Sequence, residues 1–217
     1  PKLLPGEYGD LVRALKKVVS KDTNVMLVAL AGRCLTGLAN GLRKKFSPYA
    51  VQCTEAILQK FKEKKPMVVT ALREAIDAIY PSTSLEPLTE DLLAALADKN
   101  PNVKAETASF LARCFTKATT TTLPKKILKP YIEPLGKTIN DTAPEVREAS
   151  FDALGTAMKV VSEKVMCALL GDIDALKMAK IKESCEKAVL LNMKGKSTAA
   201  AAKPASAPAK AAPAAAK

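Results

Sequence analysis

The sequence predicts an all-α protein, an α-solenoid in which helical pairs stack into one elongated domain. Its 217 residues are rich in Ala, Leu, Lys and Glu, with only 4% aromatic residues, as is typical of helical proteins. Apolar residues recur with the helical period of about 3.6, and no segment alternates with the period of about 2 that marks a strand. A turn followed by a helix start recurs at Asn24, Pro66, Pro101 and Pro144, at spacings of 42, 35 and 43 residues. Helical-pair repeats have lengths of about 40 to 47 residues, and their polar turns line up along one edge.

The clearest turn-and-helix signal is the segment NDTAPEVREASFDALG at residues 140–155. Pro144 suits the first helical position, because its fixed φ fits a helix start and its missing N–H costs nothing there. Asp141 and Thr142 precede it, and either side chain can accept a hydrogen bond from an N–H group of the first turn. The following apolar face has helical spacing and comprises Val146, Ser150, Ala153, Leu154 and Ala157. The segment therefore predicts a helix that packs against others.

The first two helical pairs are predicted in the N-terminal part of the chain. We expect helices at 7–20 and 24–42. The inward face of the second is predicted to comprise Met26, Leu30, Cys34, Leu38 and Leu42. Ser47 and Pro48 favour the start of a third helix, which runs through Phe61. Pro66 starts its partner, which ends near Tyr80.

Three further pairs complete the predicted array. A short helix near 88–97 leads into a helix at 101–117, and the threonines at 119–122 form a loop. The segment 123–139 contains Pro124, Pro130 and Pro134, so we expect a helix that is kinked or begins late. Its partner starts at Pro144. The last pair covers 162–170 and 173–190.

The composition changes at Lys194. The segment KGKSTAAAAKPASAPAKAAPAAAK has five lysines, no acidic residue and no large apolar residue. Such a segment cannot bury enough apolar surface to fold. We therefore predict a folded domain at 1–193 and a disordered basic Ala/Lys/Pro linker at 194–217.

The residue inventory argues against catalysis. The chain has no histidine, which removes Ser-His and Cys-His catalysis and a common zinc ligand. Its five cysteines are odd in number and unclustered, as expected of reduced, buried thiols. We recognise no phosphate-binding loop, no signal peptide and no apolar run near the ~20 residues of a membrane span. We therefore expect a soluble, non-enzymatic protein of the cytoplasm, without cofactor, metal, membrane or small-molecule substrate.

The formal net charge of +12 predicts an acidic partner. The tail from Lys194 supplies five of these charges, which leaves +7 for the folded part. The basic residues of the predicted intra-pair turns should lie along one edge: Lys62, Lys64, Lys65, Lys99, Lys104 and Arg147. Other lysines are expected to be solvated charges, among them Lys16, Lys17, Lys44, Lys45, Lys125 and Lys126. Arg147 has an alternative, structural role as the partner of Asp141.

Residues 1–193 resemble a TOG domain of the ch-TOG and Mini spindles microtubule polymerases, and most closely the second TOG domain of those arrays. The resemblance is carried by four segments: DTNVMLVALAGRCLTGLANGLRKKF, KFKEKKPMVVTALREAIDAIY, DKNPNVKAETASFLAR and INDTAPEVREASFDALGTAMKVV. It implies a flat paddle of HEAT-like repeats that binds the αβ-tubulin dimer through its intra-repeat turns and promotes microtubule growth. The implied location is the cytoskeleton, at microtubule plus ends, the spindle and the centrosome.

The resemblance also implies which residues bind tubulin. Carried over by position, they are Asp22, Thr23, Asn24, Val25, Lys62, Lys64, Lys65, Lys99, Asn100, Lys104 and Arg147. The family module has six repeats, and a tryptophan in its first turn contacts β-tubulin. This chain has no tryptophan. We therefore expect five repeats, with the first repeat of the module missing.

Two other kinds of partner are compatible with a basic helical array. A solenoid of this charge can track the phosphates of a nucleic acid, although its turns lack the aromatic residues on which single strands stack. A concave solenoid face can also grip an acidic peptide. Binding to purified tubulin and to duplex DNA at matched salt separates these alternatives.

Overall fold

The computed structural model describes residues 2–4 and 6–191, and these residues form ten α-helices in antiparallel pairs. The first helices of the pairs are α1 (Gly9–Lys21), α3 (Ser47–Lys60), α5 (Thr89–Leu96), α7 (Lys125–Thr138) and α9 (Glu163–Leu170). The second helices are α2 (Val25–Leu42), α4 (Pro66–Ile79), α6 (Pro101–Thr116), α8 (Pro144–Val161) and α10 (Ala175–Lys187). Short 3₁₀ turns occupy Arg43–Phe46, Tyr80–Ser82 and Glu86–Leu88. The described part contains no β-strand, and the all-α prediction is confirmed.

The helices form two layers around a continuous core. The first helices of successive pairs pack against one another, while α2 packs along α4 and α6 packs along α8, which in turn contacts α10. The largest fully buried side chains are aromatic: Tyr131, Phe46, Phe61, Phe110 and Phe115. Because each pair buries its apolar face only against its neighbours, the solenoid is stable as an array rather than as single pairs.

Gly155 permits the closest helix contact in the C-terminal half. A Cβ at this position would lie 2.6 Å from the backbone nitrogen of Cys185 and 2.6 Å from Cβ of Ser184. Such distances are far below van der Waals contact. Glycine therefore lets α10 pack directly on the backbone of α8.

The prediction that the proline-rich helix begins late is wrong. α7 starts directly after Pro124 and continues through Pro130 and Pro134. A helical proline lacks the N–H that would bond to the preceding turn. The helix continues because its buried face, which includes Leu128, Tyr131 and Leu135, is held by the core.

The predicted inward face of α2 is wrong at Met26, Leu30 and Cys34, whereas Leu42 is buried and Leu38 packs against the core, as predicted. Met26 and Leu30 are 61% and 54% exposed, and Cys34 is exposed as well. The buried face instead carries small residues, including Gly32, where a Cβ would lie 3.2 Å from the carbonyl oxygen of Ala71 in α4. α2 is apolar on both faces, so periodicity alone could not select the face that permits the closer approach.

One stretch has the length and composition of a membrane-spanning helix. Within Val25–Lys60, an 18-residue window has a mean hydropathy of 1.5, and 44% of this window is buried. The sequence prediction overlooked it. In the structure the 3₁₀ turn Arg43–Phe46 divides the stretch into α2 and α3, both of which pack within the solenoid. We therefore assign it to the core.

The cysteines of the described part are all free thiols. The expectation that all five are buried holds only for Cys53 and Cys114, because Cys34 is exposed and Cys167 and Cys185 are half-buried. Burial raises the pKa of Cys53 to about 12. A thiol with such a pKa is protonated and unreactive at neutral pH.

The predicted linker at 194–217 lies outside the described residues.

Candidate partner-binding edge

The five turns within the helical pairs lie on one edge of the solenoid, which we call the turn edge. It comprises residues 22–24, 61–65, 97–100, 139–143 and 171–174. Antiparallel pairs that stack in the same order necessarily place these turns side by side. The turns contain all the predicted binding residues except Val25, Lys104 and Arg147, which lie in the first turn of the helix that follows.

Two of these turns share the same side-chain hydrogen bonds. Asp22 Oδ1 accepts a hydrogen bond from the backbone N–H of Asn24 at 2.7 Å, and Asn24 Oδ1 accepts one from Met26 at 2.9 Å. The turn at 98–100 repeats both bonds at 2.8 and 2.9 Å. The aspartate forms an Asx turn and the asparagine caps the helix. The sequence pattern Asp-x-Asn therefore provides the local hydrogen bonds that order both turns.

The fourth turn keeps the aspartate but has no side-chain cap, and in the fifth turn an aspartate takes the place of the asparagine cap. Asp141 Oδ1 accepts a hydrogen bond from the N–H of Ala143 at 3.0 Å, and Asp174 Oδ1 accepts one from Leu176 at 3.0 Å. The second turn has no aspartate. There the carbonyl oxygen of Lys65 accepts bonds from Val68 and Val69 at 3.0 and 3.1 Å. Each turn is thus ordered by its own local chemistry.

Lysines connect each of the first four turns to a neighbouring one. Lys60 Nζ donates to the carbonyl oxygen of Asp22 at 2.7 Å. Lys62 Nζ lies 3.5 Å from Asp98 Oδ2 of the following pair. Lys104 Nζ donates to Asp141 Oδ2, again of the following pair. These contacts fix the spacing between turns, so the edge is organised before any partner binds.

The Lys104–Asp141 pair is the most buried ion pair of the described residues. The two side chains are only 17% and 12% exposed. The hydrogen bond from Lys104, followed by that from the N–H of Ala143, lowers the pKa of Asp141 below its ordinary value. The ammonium group of Lys104 therefore lies in a mostly buried ion pair and not in solvent.

Arg147 also bonds within the protein. Its Nη1 donates to the carbonyl oxygens of Asp141 and Thr142 at 2.8 and 2.9 Å. The alternative prediction, that Arg147 is a structural partner of Asp141, is correct about the residue. However, Arg147 bonds to the backbone carbonyl of Asp141, because the carboxylate of Asp141 bonds to Lys104. The guanidinium still lines an open groove of about 480 Å³ between α8 and α10. Arg147 thus both fixes its own turn and faces the surface.

Comparison with known proteins gives the family. The family model "CLASP N terminal" matches residues 3–169. The chain belongs to the CLASP N-terminal/TOG domain family.

Relatives and solved structures show the same relationship. The chain is 58% identical over 188 residues to Protein mini spindles of Drosophila melanogaster, which covers 87% of this chain but only 9% of that protein. It is also similar to a solved chain from work on microtubule plus-end tracking by XMAP215, CLIP-170 and EB1, with a TM-score of 0.83 and 58% identity, covering 86% of this chain and 78% of that one. A chain from work on tubulin recruitment and assembly by polymerases with TOG domain arrays has a TM-score of 0.80 at 32% identity, covering 86% of this chain and 40% of that one.

Among the predicted binding residues of this TOG domain, the exposed cations lie in the second and third turns. Lys64, Lys65 and Lys99 are exposed and form no ion pair with another described residue. Thr23 and Asn24 are exposed in the first turn. The remaining predicted residues other than Lys62 are half-buried: Asp22, Val25, Asn100, Lys104 and Arg147. The eleven residues therefore divide into an exposed set and a half-buried set, and Asn24 of the exposed set also caps α2.

Two ion pairs between α4 and α6 were not predicted from the sequence. Arg73 donates from Nε and Nη2 to the two carboxylate oxygens of Glu106 at 2.6 and 2.5 Å, and Arg113 donates to Asp77 at 2.8 Å. These helices have little other direct contact, and a groove of about 360 Å³ opens between them at the turn edge. The partners are 33 and 36 residues apart. Opposite charges separated by one repeat length are a signal that could have revealed these pairs.

Within residues 2–4 and 6–191, no group of three or more Cys, Asp or Glu side chains is arranged to hold a metal ion.

Proposed function

We propose that this TOG domain binds the αβ-tubulin dimer through its turn edge, as a non-catalytic module of a microtubule polymerase that promotes microtubule growth. The observation that carries this proposal is a set of preorganised turns presenting exposed lysines at 64, 65 and 99, none of which pairs with an acid of the described residues. Tubulin has an acidic surface, so such lysines provide charge complementarity and faster encounter. Turns that are already ordered avoid the entropy cost of ordering on binding.

The relatives support the same partner. Work on one similar chain concerns microtubule plus-end tracking, and work on another concerns tubulin recruitment. We extend this role to the present chain and place it at the cytoskeleton, on microtubule plus ends, the spindle and the centrosome. Its position as the second domain of an array is part of the same proposal. The chain spans about a tenth of Protein mini spindles, so the activity of a whole polymerase is proposed and not assigned.

Within the turn edge, the two sets of residues have different roles. Thr23, Asn24, Lys64, Lys65 and Lys99 contact tubulin directly, because they are exposed. Lys62, which is 56% exposed beside Asp98, contributes both a contact and a link between turns. The half-buried residues, Asp22, Val25, Asn100, Lys104 and Arg147, contribute by holding the turns in position.

We also propose that the folded domain, residues 1–193, supplies five repeats of a six-repeat module. The exposed apolar face of α2, which includes Met26, Leu27 and Leu30, is the surface on which a further helical pair would pack. Large contiguous apolar surfaces on soluble proteins commonly mark interaction sites.

The function is tested by binding measurements on the purified chain. At matched ionic strength, we expect saturable 1:1 binding to soluble αβ-tubulin and weaker binding to duplex DNA that disappears at physiological salt. Calorimetry or fluorescence anisotropy gives both affinities. Binding to DNA alone would favour the nucleic-acid scaffold instead, and binding to neither would reject both.

A further inference from the structure

The second layer of the solenoid divides into two closely packed groups of helices. In the first group α2 packs along α4, where a Cβ at Gly32 would lie 3.2 Å from the carbonyl oxygen of Ala71. In the second group α6 packs along α8, which contacts α10 through Gly155. α4 and α6 have little direct contact, although α3 of the first layer contacts both α5 and α6. We call the boundary between α4 and α6 the joint.

Packing closes the end of the joint that is far from the turn edge. The rings of Tyr80 and Phe110 meet edge to face with their centroids 5.8 Å apart, which is a favourable aromatic arrangement. Arg113 Nε donates to both carboxylate oxygens of Asp77 at 3.0 and 2.8 Å, and its guanidinium lies 6.0 Å from the centroid of the Phe110 ring. Aromatic packing therefore holds this end in addition to charge.

The end of the joint at the turn edge is open. There a groove of about 360 Å³ separates α4 from α6, and Arg73 and Glu106 line it. Arg73 Nε and Nη2 donate to the two carboxylate oxygens of Glu106 at 2.6 and 2.5 Å. Among the described residues, the one other ion pair that crosses this end joins Lys62 to Asp98 at 3.5 Å, and its lysine is exposed. Exposed ion pairs contribute little, so the Arg73–Glu106 pair mainly determines the width of the groove.

The charges on the two helices fix their alignment. Both are second helices of their pairs, so they run in the same direction. The face of α4 toward the joint carries Arg73 and then Asp77, whereas that of α6 carries Glu106 and then Arg113. Sliding α6 by about two helical turns would place Arg113 beside Arg73, and like charges at a contact are unfavourable. The pattern therefore selects one alignment of the two groups.

We propose that Arg73 and Glu106 are positioning residues of the turn edge: by closing the joint, they set the distance between the second and third turns and so fit the edge to one arrangement of a rigid acidic partner. This inference rests on the proposed function and adds residues that act through the turns. Lys64 and Lys65 lie on one side of the joint, and Lys99 lies on the other. A partner that contacts all three lysines requires one spacing between them, and a preset spacing avoids the cost of ordering on binding.

Glu106 separates positioning from direct contact. Its side chain is 11% exposed, against 49% for Arg73, so Glu106 is too buried to contact a partner. The substitution Glu106→Met keeps the length of the side chain and removes both acceptors of the Arg73 bonds. It also raises the net charge by one, so attraction to an acidic surface alone would strengthen tubulin binding. Positioning predicts weaker binding, which is the opposite sign.

The spacing is measured in the free, full chain by pulsed electron resonance between nitroxide labels at positions 64 and 99. Attachment through a genetically encoded ketone side chain leaves the five cysteines unmodified. We expect one narrow distance distribution in the original chain and a broader one in Glu106→Met. The double variant Arg73→Ala with Glu106→Ala leaves neither charge of the pair without its partner and should broaden the distribution equally. Lys104→Ala breaks a buried ion pair within the second group, so it should lower the melting temperature but keep the 64–99 distribution narrow.

Titration with soluble αβ-tubulin then measures the consequence for binding. If about a fifth of the Glu106→Met molecules keep the original spacing, the apparent Kd rises about 5-fold, because only that fraction is competent to bind. The double variant, whose net charge is unchanged, should show the same weakening.

Two results would overturn the inference: a 64–99 distribution that stays narrow in both variants, or a broadened distribution with tubulin affinity unchanged or higher. Labels at positions 23 and 64, within the first group, should keep a narrow distribution in every chain. Broadening there would indicate a general loss of packing and would overturn the inference too. If the original chain does not bind soluble tubulin, the proposed function fails, whereas the spacing measured in the free chain still decides whether Arg73 and Glu106 close the joint.

Discussion

A chain carrying Lys64→Glu and Lys65→Glu should bind soluble αβ-tubulin at least about 100-fold more weakly, a loss of about 3 kcal/mol. Both lysines are exposed in the second turn, at the centre of the four turns that carry predicted binding residues. Reversal replaces attraction to an acidic surface with repulsion, and like charges placed together at an interface cost several kcal/mol. Titration of labelled tubulin measures the effect.

The fold should survive this change. Lys65 precedes α4 and is its N-cap residue, where an acid interacts favourably with the helix dipole. A matched control is Lys17→Glu with Arg33→Glu, two exposed residues that lie outside the turn edge and form no ion pair among the described residues. The control has the same net charge and should lose little affinity. If it loses as much as the turn variant, net charge rather than the turn edge governs binding.

Lys104→Ala should destabilise the protein by about 3 kcal/mol, because it leaves a largely buried carboxylate without its ion-pair partner. For a chain of this size, such a loss lowers the melting temperature by about 6 to 12 °C. Lys99→Ala is the matched control. Lys99 is exposed and unpaired among the described residues, so its removal should change stability by no more than about 0.5 kcal/mol.

The effect of Lys104→Ala should depend on pH. The folded-state pKa of Asp141 is below its ordinary value because of Lys104 and the N–H of Ala143. A lowered pKa means that the carboxylate contributes stability above its unfolded-state pKa and loses that contribution as pH falls through its folded-state pKa. The difference in unfolding free energy between the original chain and the variant should therefore be full at neutral pH and vanish in strong acid. If the original chain and the Lys104→Ala variant were equally stable at neutral pH, Lys104 would have no structural role.

The sequence predicted the repeats because their signals are local. Pro66, Pro101 and Pro144 each start a helix in the structure, and Asn24 and Asn100 cap theirs. Proline geometry and asparagine capping act within a few residues, so no knowledge of the tertiary fold was needed. The five pairs and the location of the predicted site residues on one edge follow from these signals.

The sequence could not predict contacts that depend on how neighbouring pairs are aligned. Lys104 bonds to Asp141 across 37 residues, and this contact decides which of the predicted lysines face inward. The buried face of α2 was wrong for a related reason, since only packing against α4 selects Gly32 over Met26. Both depend on distances between helices, and a single sequence contains no direct record of those distances.

Lysine acetylation of the folded chain, with and without saturating soluble αβ-tubulin, tests the turn edge most directly. Exposed lysines react freely, and burial in an interface slows their reaction. We predict that Lys64, Lys65 and Lys99 become protected by tubulin, while Lys17, Lys44 and Lys45 keep their reactivity. Protection of Lys44 and Lys45, with unchanged reactivity at Lys64, Lys65 and Lys99, would show that tubulin binds a different surface and would contradict the proposed function of the turn edge.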